Sequence, residues 1–443
     1  MPQARYKQLV DRLSQDIRQG RLKPGTALPT HRRLATREGI SLATATRTYA
    51  ELQAMGLVAG EVGRGTFVRE PVRLGEGVEM HVESGDLVDL TFNYPTLPEQ
   101  ADLLRSALRQ LATAGDLESV LRYQPHAGRT HERALVAAHL KSRGLSVTAE
   151  DVLIVSGAIH GLAVAAMSLL QPGDVLAVDA LSYPGIKVVA EMCRLELVAI
   201  PVKPSGTDLD ALESLCRSRK VRAVFCMPTL HNPLGWVMSE VQRLALIAVA
   251  RRHGLLLLED GAYAFLEAKA PPPLAALAPD ITVYVSSLSK SVGSGLRFGF
   301  VSAPAALVPK INRAIRATVW NTPGVVTSIC CSWLQDGTVI RLEQEKRRDA
   351  KARQAIAAKV LDGLGMAGHP ASYFVWLPMP EEVRAEAVAM RLKEQNILVS
   401  TATPYAMASQ PPHAIRLALG SVSHARLKQA LETVARVLGD LGY

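Results

Sequence analysis

Five short polar groups follow one another along the chain, each at the end of an apolar run: Ser156-Gly157-Ala158, Ser182-Tyr183-Pro184-Gly185, His231-Asn232-Pro233-Leu234-Gly235, Glu259-Asp260 with Tyr263 three residues on, and Ser287-Leu288-Ser289-Lys290. Arg297 comes seven residues after that lysine. Ser156-Gly157-Ala158 opens an apolar helical stretch, where free backbone amides can seat a phosphate. Taken singly, each group reads as turn chemistry or a solvated charge, and a lone lysine is far more often a surface residue. The ordered set is hard to reach by chance. No strand is followed by G-x-G-x-x-G, so a dinucleotide seat has no support.

The elements that must position these groups are legible as short apolar runs. Residues 152–155, 175–179, 221–226, 255–260 and 281–286 read as strands that alternate with long helical stretches from about residue 89. That pattern predicts an α/β domain with a mainly parallel sheet. At 443 residues the chain is too long for one ordinary domain, and at 48% hydrophobic it can bury a sizeable core. The five cysteines, Cys193, Cys216, Cys226, Cys330 and Cys331, form no C-x-x-C pair. This argues against a disulfide framework or a zinc site and for a reducing, cytoplasmic location. The front of the chain lacks the pattern of a secretory leader, and no apolar run approaches the ~20 residues of a membrane span.

This ordered set resembles the fold-type I aminotransferases over most of residues 89–443. The resemblance implies a large, mainly parallel sheet domain, a small C-terminal α+β domain, and pyridoxal 5'-phosphate as cofactor. Lys290 would condense with the cofactor aldehyde, and Asp260 would keep the pyridine nitrogen protonated. Asn232 and Tyr263 would bond the ring hydroxyl, and Tyr183 would stack on the ring face. Ala158, Ile159, Ser287, Ser289 and Arg297 would hold the phosphate, Arg297 with two parallel bonds. Arg416, within Ala414-Ile415-Arg416-Leu417-Ala418-Leu419-Gly420, would clamp a ligand carboxylate. Tyr123, within Tyr123-Gln124-Pro125-His126-Ala127-Gly128, would reach the phosphate of a partner subunit in a homodimer. Related regulators often carry glutamine after Ser-Gly-Ala. Here Ile159-His160 follows, and His160 reads equally as a cofactor contact or an ordinary helix residue.

The front of the chain has a different character. Residues 1–70 carry twelve Lys and Arg against six Asp and Glu, a net +6, whereas the other 373 residues carry 38 against 35. A basic front on a balanced body suggests attraction to a polyanion. Tyr6, Leu9, Val10, Leu13 and Ile17 recur at helical spacing over 5–19, and Gly20 with Lys23-Pro24-Gly25 ends that helix. Thr30 caps a short second helix with Leu34-Ala35 inward, and Glu38-Gly39-Ile40 turns the chain. Ser41 caps a third helix to about Met55, with Ala45, Tyr49 and Leu52 on one face, stopped by Gly56. Two short strands then flank a glycine turn, from Leu57-Val58 to Phe67-Val68.

Helix, helix-turn-helix and wing form a layout for double-stranded DNA, with the third helix in the major groove. Arg32, Arg33, Arg47 and Arg64 are the phosphate or base contacts, with Ser41, Thr44 and Thr66 beside them. A threonine face (Thr44, Thr46, Thr48) is also available. The segment resembles the GntR winged helix-turn-helix through Gly20-Arg21-Leu22-Lys23-Pro24-Gly25, Leu28-Pro29, Leu34-Ala35, Gly56-Leu57 and Gly65-Thr66-Phe67-Val68. That family usually opens the third helix with Ser-Arg; here it is Ser41-Leu42, so one expected contact is missing.

The expected organisation is therefore a DNA-binding domain over 1–69, a connector over 70–88 and an aminotransferase-like domain over 89–443. A GntR head on an aminotransferase body resembles the MocR subfamily of bacterial transcription regulators. The resemblance implies a regulator that senses pyridoxal phosphate, or an amino compound condensed with it. The alternative is a working aminotransferase with a regulatory head.

Overall fold

The computed structural model describes residues 5–18, 21–23, 25–54, 58–61, 65–68, 87–95, 97, 99–113, 117–203, 206–380, 383, 385–408 and 411–441. They divide into two compact units, Met1–Leu87 and Val88–Tyr443. No described helix is long and apolar enough to cross a membrane.

The front unit has helices Arg5–Arg18, His31–Glu38 and Leu42–Ala54, then strands Val58–Glu61 and Gly65–Val68 paired antiparallel. Its boundaries follow from capping. The Thr30 hydroxyl accepts the Arg33 N–H at 3.4 Å, and Gly39 at φ 61° closes the second helix in the left-handed region. The Ser41 hydroxyl accepts the Thr44 N–H at 3.1 Å and so starts the third. Leu9, Leu34, Ala45, Leu52, Val58 and Val68 meet in one small core with Tyr49. The Tyr49 hydroxyl donates to the Pro29 carbonyl at 2.6 Å, and burial pushes its pKa up to about 12.

Two expectations on this unit change. Thr48 is fully buried and its hydroxyl donates to the Thr44 carbonyl, so the exposed threonine face shrinks to Thr44 and Thr46. The Arg47 guanidinium lies 4.3 Å from the Tyr6 ring centroid, an intramolecular cation–π contact that competes with any role on DNA. Gly20, Pro24, Met55, Gly56, Leu57, the wing turn with Arg64, and residues 69–86 lie outside the described residues.

The body is built on a seven-stranded sheet. Across it lie Val152–Val155, Gly299–Ser302, Thr282–Ser287, Leu256–Asp260, Val221–Cys226, Val175–Asp179 and Glu196–Ile200. Gly299–Ser302 alone runs antiparallel to its neighbours. The parallel central strands are buried on both faces, which is why they read as unbroken apolar runs. The two expected starts at 255 and 281 each move by one residue, and the fourth and fifth strands end at Asp260 and Ser287.

A smaller antiparallel sheet holds Ala367–Gly368, Phe374–Pro378, Ala414–Ala418 and Ser400–Thr401, with helices Ala385–Glu394 and His424–Asp440 on the same core. The segment after Leu87 is sewn to this subdomain. Val88–Asp89 pairs with Ile397–Leu398, the Ala418 N–H donates to the Leu90 carbonyl at 2.7 Å, and the Gly420 N–H donates to Asn93 Oδ1 at 3.0 Å. The 23-residue helix Thr338–Val360 packs against both helix His424–Asp440 and the turn at Ala264–Leu266.

Candidate cofactor site

All five polar groups sit at the carboxyl ends of parallel strands, the edge where open α/β sheets bind ligands. Two of them, with Arg297, converge on an anion-shaped corner. Helix Ala158–Leu169 starts directly after Gly157 at φ 94°, and its first amides have no acceptor within the helix. The Arg297 guanidinium donates to Ser289 Oγ at 3.2 Å and to the Ser156 carbonyl at 3.5 Å. A Cβ on Gly157 would lie 2.4 Å from Arg297 Nη2, so only glycine lets the cation approach the helix start. Gly299 has the same purpose from the next strand: a Cβ there would lie 2.7 Å from the Gly157 carbonyl carbon. Ser287 Oγ accepts the Ser289 N–H at 3.3 Å and shapes the turn.

The second part of the site is dry. Asp260 is 3% exposed, and its carboxylate accepts the Ala262 N–H at 2.8 Å. Burial without a neighbouring cation pushes its carboxyl up to about 6. Asn232 is 6% exposed, and its Oδ1 has no hydrogen-bond partner among the described residues. Tyr263 is buried with its ring edge-on to Phe374 at 5.3 Å. The Lys290 ammonium sits over this part of the site, 6.0 Å from the Tyr263 ring and 5.7 Å from the Tyr94 ring, donating to the Asn93 carbonyl at 3.0 Å.

The other expected residues are placed as follows. Arg416 is 3% exposed. It donates to the Thr91 carbonyl at 3.1 Å and lies 4.6 and 5.5 Å from the Phe374 and Tyr405 rings, and its Nε has no hydrogen-bond partner among the described residues. The Tyr183 ring covers Gly185. Tyr123 is 82% exposed and packs on Trp320 at 5.0 Å. His160 is bonded at both ring nitrogens. Its Nδ1 accepts the Ser156 N–H at 3.0 Å and its Nε2 pairs with the Thr318 hydroxyl at 2.9 Å, so it braces the strand–helix turn. Burial lowers its pKa, which suits that acceptor role.

Three participants carry no sequence signal. Asn93 and Tyr94 lie in an irregular segment, and Lys346 lies in a highly charged helix. Lys346 is 1% exposed and donates to the Lys290 and Val292 carbonyls, both at 3.3 Å, so it fixes the backbone that carries Lys290. Burial pushes its pKa down to about 8.

The donor set suits a phosphorylated pyridine aldehyde. An amine stands over Tyr263, three residues after a buried acid for which no ion pair is found among the described residues; a buried amide oxygen lacks a partner among them, and a helix start with an arginine is shaped for a dianion. Pyridoxal 5'-phosphate supplies the complement to each.

Comparisons with known proteins agree. Residues 85–434 match the family "Aminotransferase class I and II", and residues 5–68 match "Bacterial regulatory proteins, gntR family". The HTH-type transcriptional regulator TauR of Rhodobacter capsulatus is 28% identical, over 98% of this chain and 96% of its own length. The HTH-type pyridoxine biosynthesis transcriptional regulator PdxR of Corynebacterium glutamicum is 27% identical, over 81% and 79%. Among solved structures, an archaeal alanine:glyoxylate aminotransferase is 26% identical with a TM-score of 0.75, covering 80% of this chain and 91% of its own. The chain thus belongs to the class I and II aminotransferase family, and with a GntR-type helix-turn-helix head ahead of that body it has the domain order of the MocR regulators.

Proposed function

We propose that this chain is a ligand-responsive transcription regulator of the bacterial cytoplasm. Its front unit binds double-stranded DNA, and its body holds pyridoxal 5'-phosphate on Lys290 and presents it to an amino compound. The observation that carries this reading is a lysine, Lys290, whose ammonium lies 6.0 Å from the Tyr263 ring and whose chain neighbour Ser289 takes the Arg297 bond at the Gly157 corner, in a chain whose front folds as helix-turn-helix and wing.

When bound, the cofactor supplies an aldehyde carbon and an electron sink. Lys290 is the nucleophilic amine that holds it. Asp260 keeps the proton on the ring nitrogen, while Asn232 and Tyr263 bind the ring hydroxyl. Tyr183 covers one ring face. Ala158, Ile159, Ser287, Ser289 and Arg297 hold the phosphate. Arg416, dry and already stacked between rings, grips the carboxylate of an incoming amino compound. Tyr123 serves the site of a second subunit in a homodimer, which its exposure permits. The head occupies 1–69 and the body 89–443, joined through 70–88. An amino compound that favours one arrangement of the subunits shifts its population. A coupling of ~1–3 kcal/mol changes DNA affinity by roughly 5–150-fold.

On DNA from upstream of its own gene, the purified chain is expected to give a sequence-selective, salt-dependent shift. Replacing Arg32 and Arg33 by alanine should weaken binding to all sequences alike and lower the salt slope by about one for each phosphate that these arginines neutralise. The cofactor absorbance should stay unchanged. If the double variant binds as tightly as the parent, these arginines do not face the duplex. The enzyme alternative is checked with amino donors and keto acceptors: sustained multiple turnover at ordinary enzyme rates would displace the regulator reading.

A further inference from the structure

A cavity of about 210 Å³ opens beside the end of strand Leu256–Asp260, and Asp260, assigned above to the ring nitrogen, also lines it. Its volume leaves room for a small metabolite. Its wall is charged. Arg347 lines it with the Nε bonded to the Phe265 carbonyl, and no other hydrogen-bond or ion-pair partner of Arg347 is found among the described residues. Arg143 also lines it but is engaged, paired at 2.5 Å with Glu343. Two further carboxylates complete the wall, Glu259 and Glu267. Glu259 is 2% exposed, burial pushes it up to about 7, and its carboxylate accepts the Ala275 N–H at 2.9 Å. Glu267 is half-buried, accepts the Lys269 N–H at 2.8 Å and lies 3.8 Å from His369 Nδ1. Pro271, Pro272 and Pro273 stiffen one side.

We propose that this cavity is a second ligand site for a small zwitterionic amino acid, with the carboxylate on Arg347 and the ammonium on Glu267. A purely anionic ligand would meet Glu267, and a purely cationic one would meet Arg347 and Arg143. A zwitterion satisfies the guanidinium and the carboxylate together. The position gives the site a consequence. Gly261, Ala264 and Phe265 line the cavity, while Tyr263 of the same turn faces Lys290. An amino acid bound here touches the cofactor turn without any chemistry at Lys290.

The test uses the full-length chain after cofactor loading and borohydride reduction, so that a bound cofactor is locked and cannot react with amines. Calorimetric titrations with glycine, β-alanine and 4-aminobutyrate vary the spacing of the two charges. Acetate and ethylamine carry one charge each. The proposal expects saturable binding of at least one amino acid, about tenfold or more tighter than acetate or ethylamine. R347Q should abolish it, and E267Q should remove the preference over acetate. A268W, which fills the mouth from an exposed position without changing charge, should block binding in a chain with an unaltered melting temperature. R416Q should leave it intact. No saturable binding, or binding that survives both R347Q and A268W, overturns the proposal, as does equal binding of acetate. A chain that takes up no cofactor would fail the functional reading while leaving this titration to succeed or fail by itself.

Discussion

Lys290→Ala is expected to abolish the visible absorbance of the cofactor-loaded chain while leaving its fold intact. Lys290 is the amine proposed to carry the cofactor's aldehyde, so its loss should remove the covalent link altogether. Stability should change little. Lys290 is half-buried, its own bond is a single one to the Asn93 carbonyl, and Lys346 continues to hold the Lys290 and Val292 carbonyls. Arg297→Ala should behave differently. It removes charge-assisted bonds at the phosphate corner, each worth about 1.5–3 kcal/mol, so uptake weakens about ten- to a hundredfold while the absorbance at saturation survives. Spectrophotometric titration with pyridoxal 5'-phosphate separates the two outcomes. An unchanged spectrum in Lys290→Ala would place the link on another amine.

Asp260→Asn should move stability and cofactor binding in opposite directions. The folded carboxyl titrates near 6 against an ordinary 3.8, because burial disfavours its charge. The sign of the pH effect follows. The stability tied to the protonated form is complete below about pH 4 and is lost as pH rises through about 6. Above that, the cofactor-free chain carries a buried carboxylate without a cation, a cost of about 3 kcal/mol at most. The asparagine still accepts the Ala262 N–H and never ionises. Without cofactor, the variant should therefore unfold at higher denaturant than the parent at pH 8, and the two should converge near pH 4. Glu259, shifted up to about 7 by its own burial, keeps a pH dependence in both chains, so the difference curve is the quantity to read. With cofactor the order should reverse, since only the aspartate pairs with a protonated ring nitrogen. Equal stability at pH 8 would mean that Asp260 is not the strained group described above.

Much of this fold is legible in the sequence for a physical reason. Parallel strands buried on both faces leave continuous apolar runs, and ligand groups collect at their carboxyl ends, so strand and site can be read together from 152–155 through 281–290. The antiparallel strand Gly299–Ser302 escapes that reading. Its Gly-Phe-Val-Ser sequence has no period of its own, and its place is set by pairing with strands that lie on either side of it in the sheet. Asn93 is invisible for a related reason: residues over 300 positions away fix it. Helix Thr338–Val360 misleads through composition. Its dense charges resemble a solvated surface, yet Glu343, Lys346 and Arg353 are buried because each finds a specific partner, Lys346 and Arg353 on loop carbonyls and Glu343 on Arg143. Thr48 turns inward because its hydroxyl bonds its own helix and needs no water.

The central claim is that a chain with a DNA-reading head holds pyridoxal phosphate on one amine, Lys290. Reducing the cofactor-loaded chain with borohydride, digesting it and weighing the peptides locates that amine directly. The expected result is a single phosphopyridoxyl group, on the peptide containing Lys290. A label on Lys346, on any other lysine or on no peptide at all would contradict it.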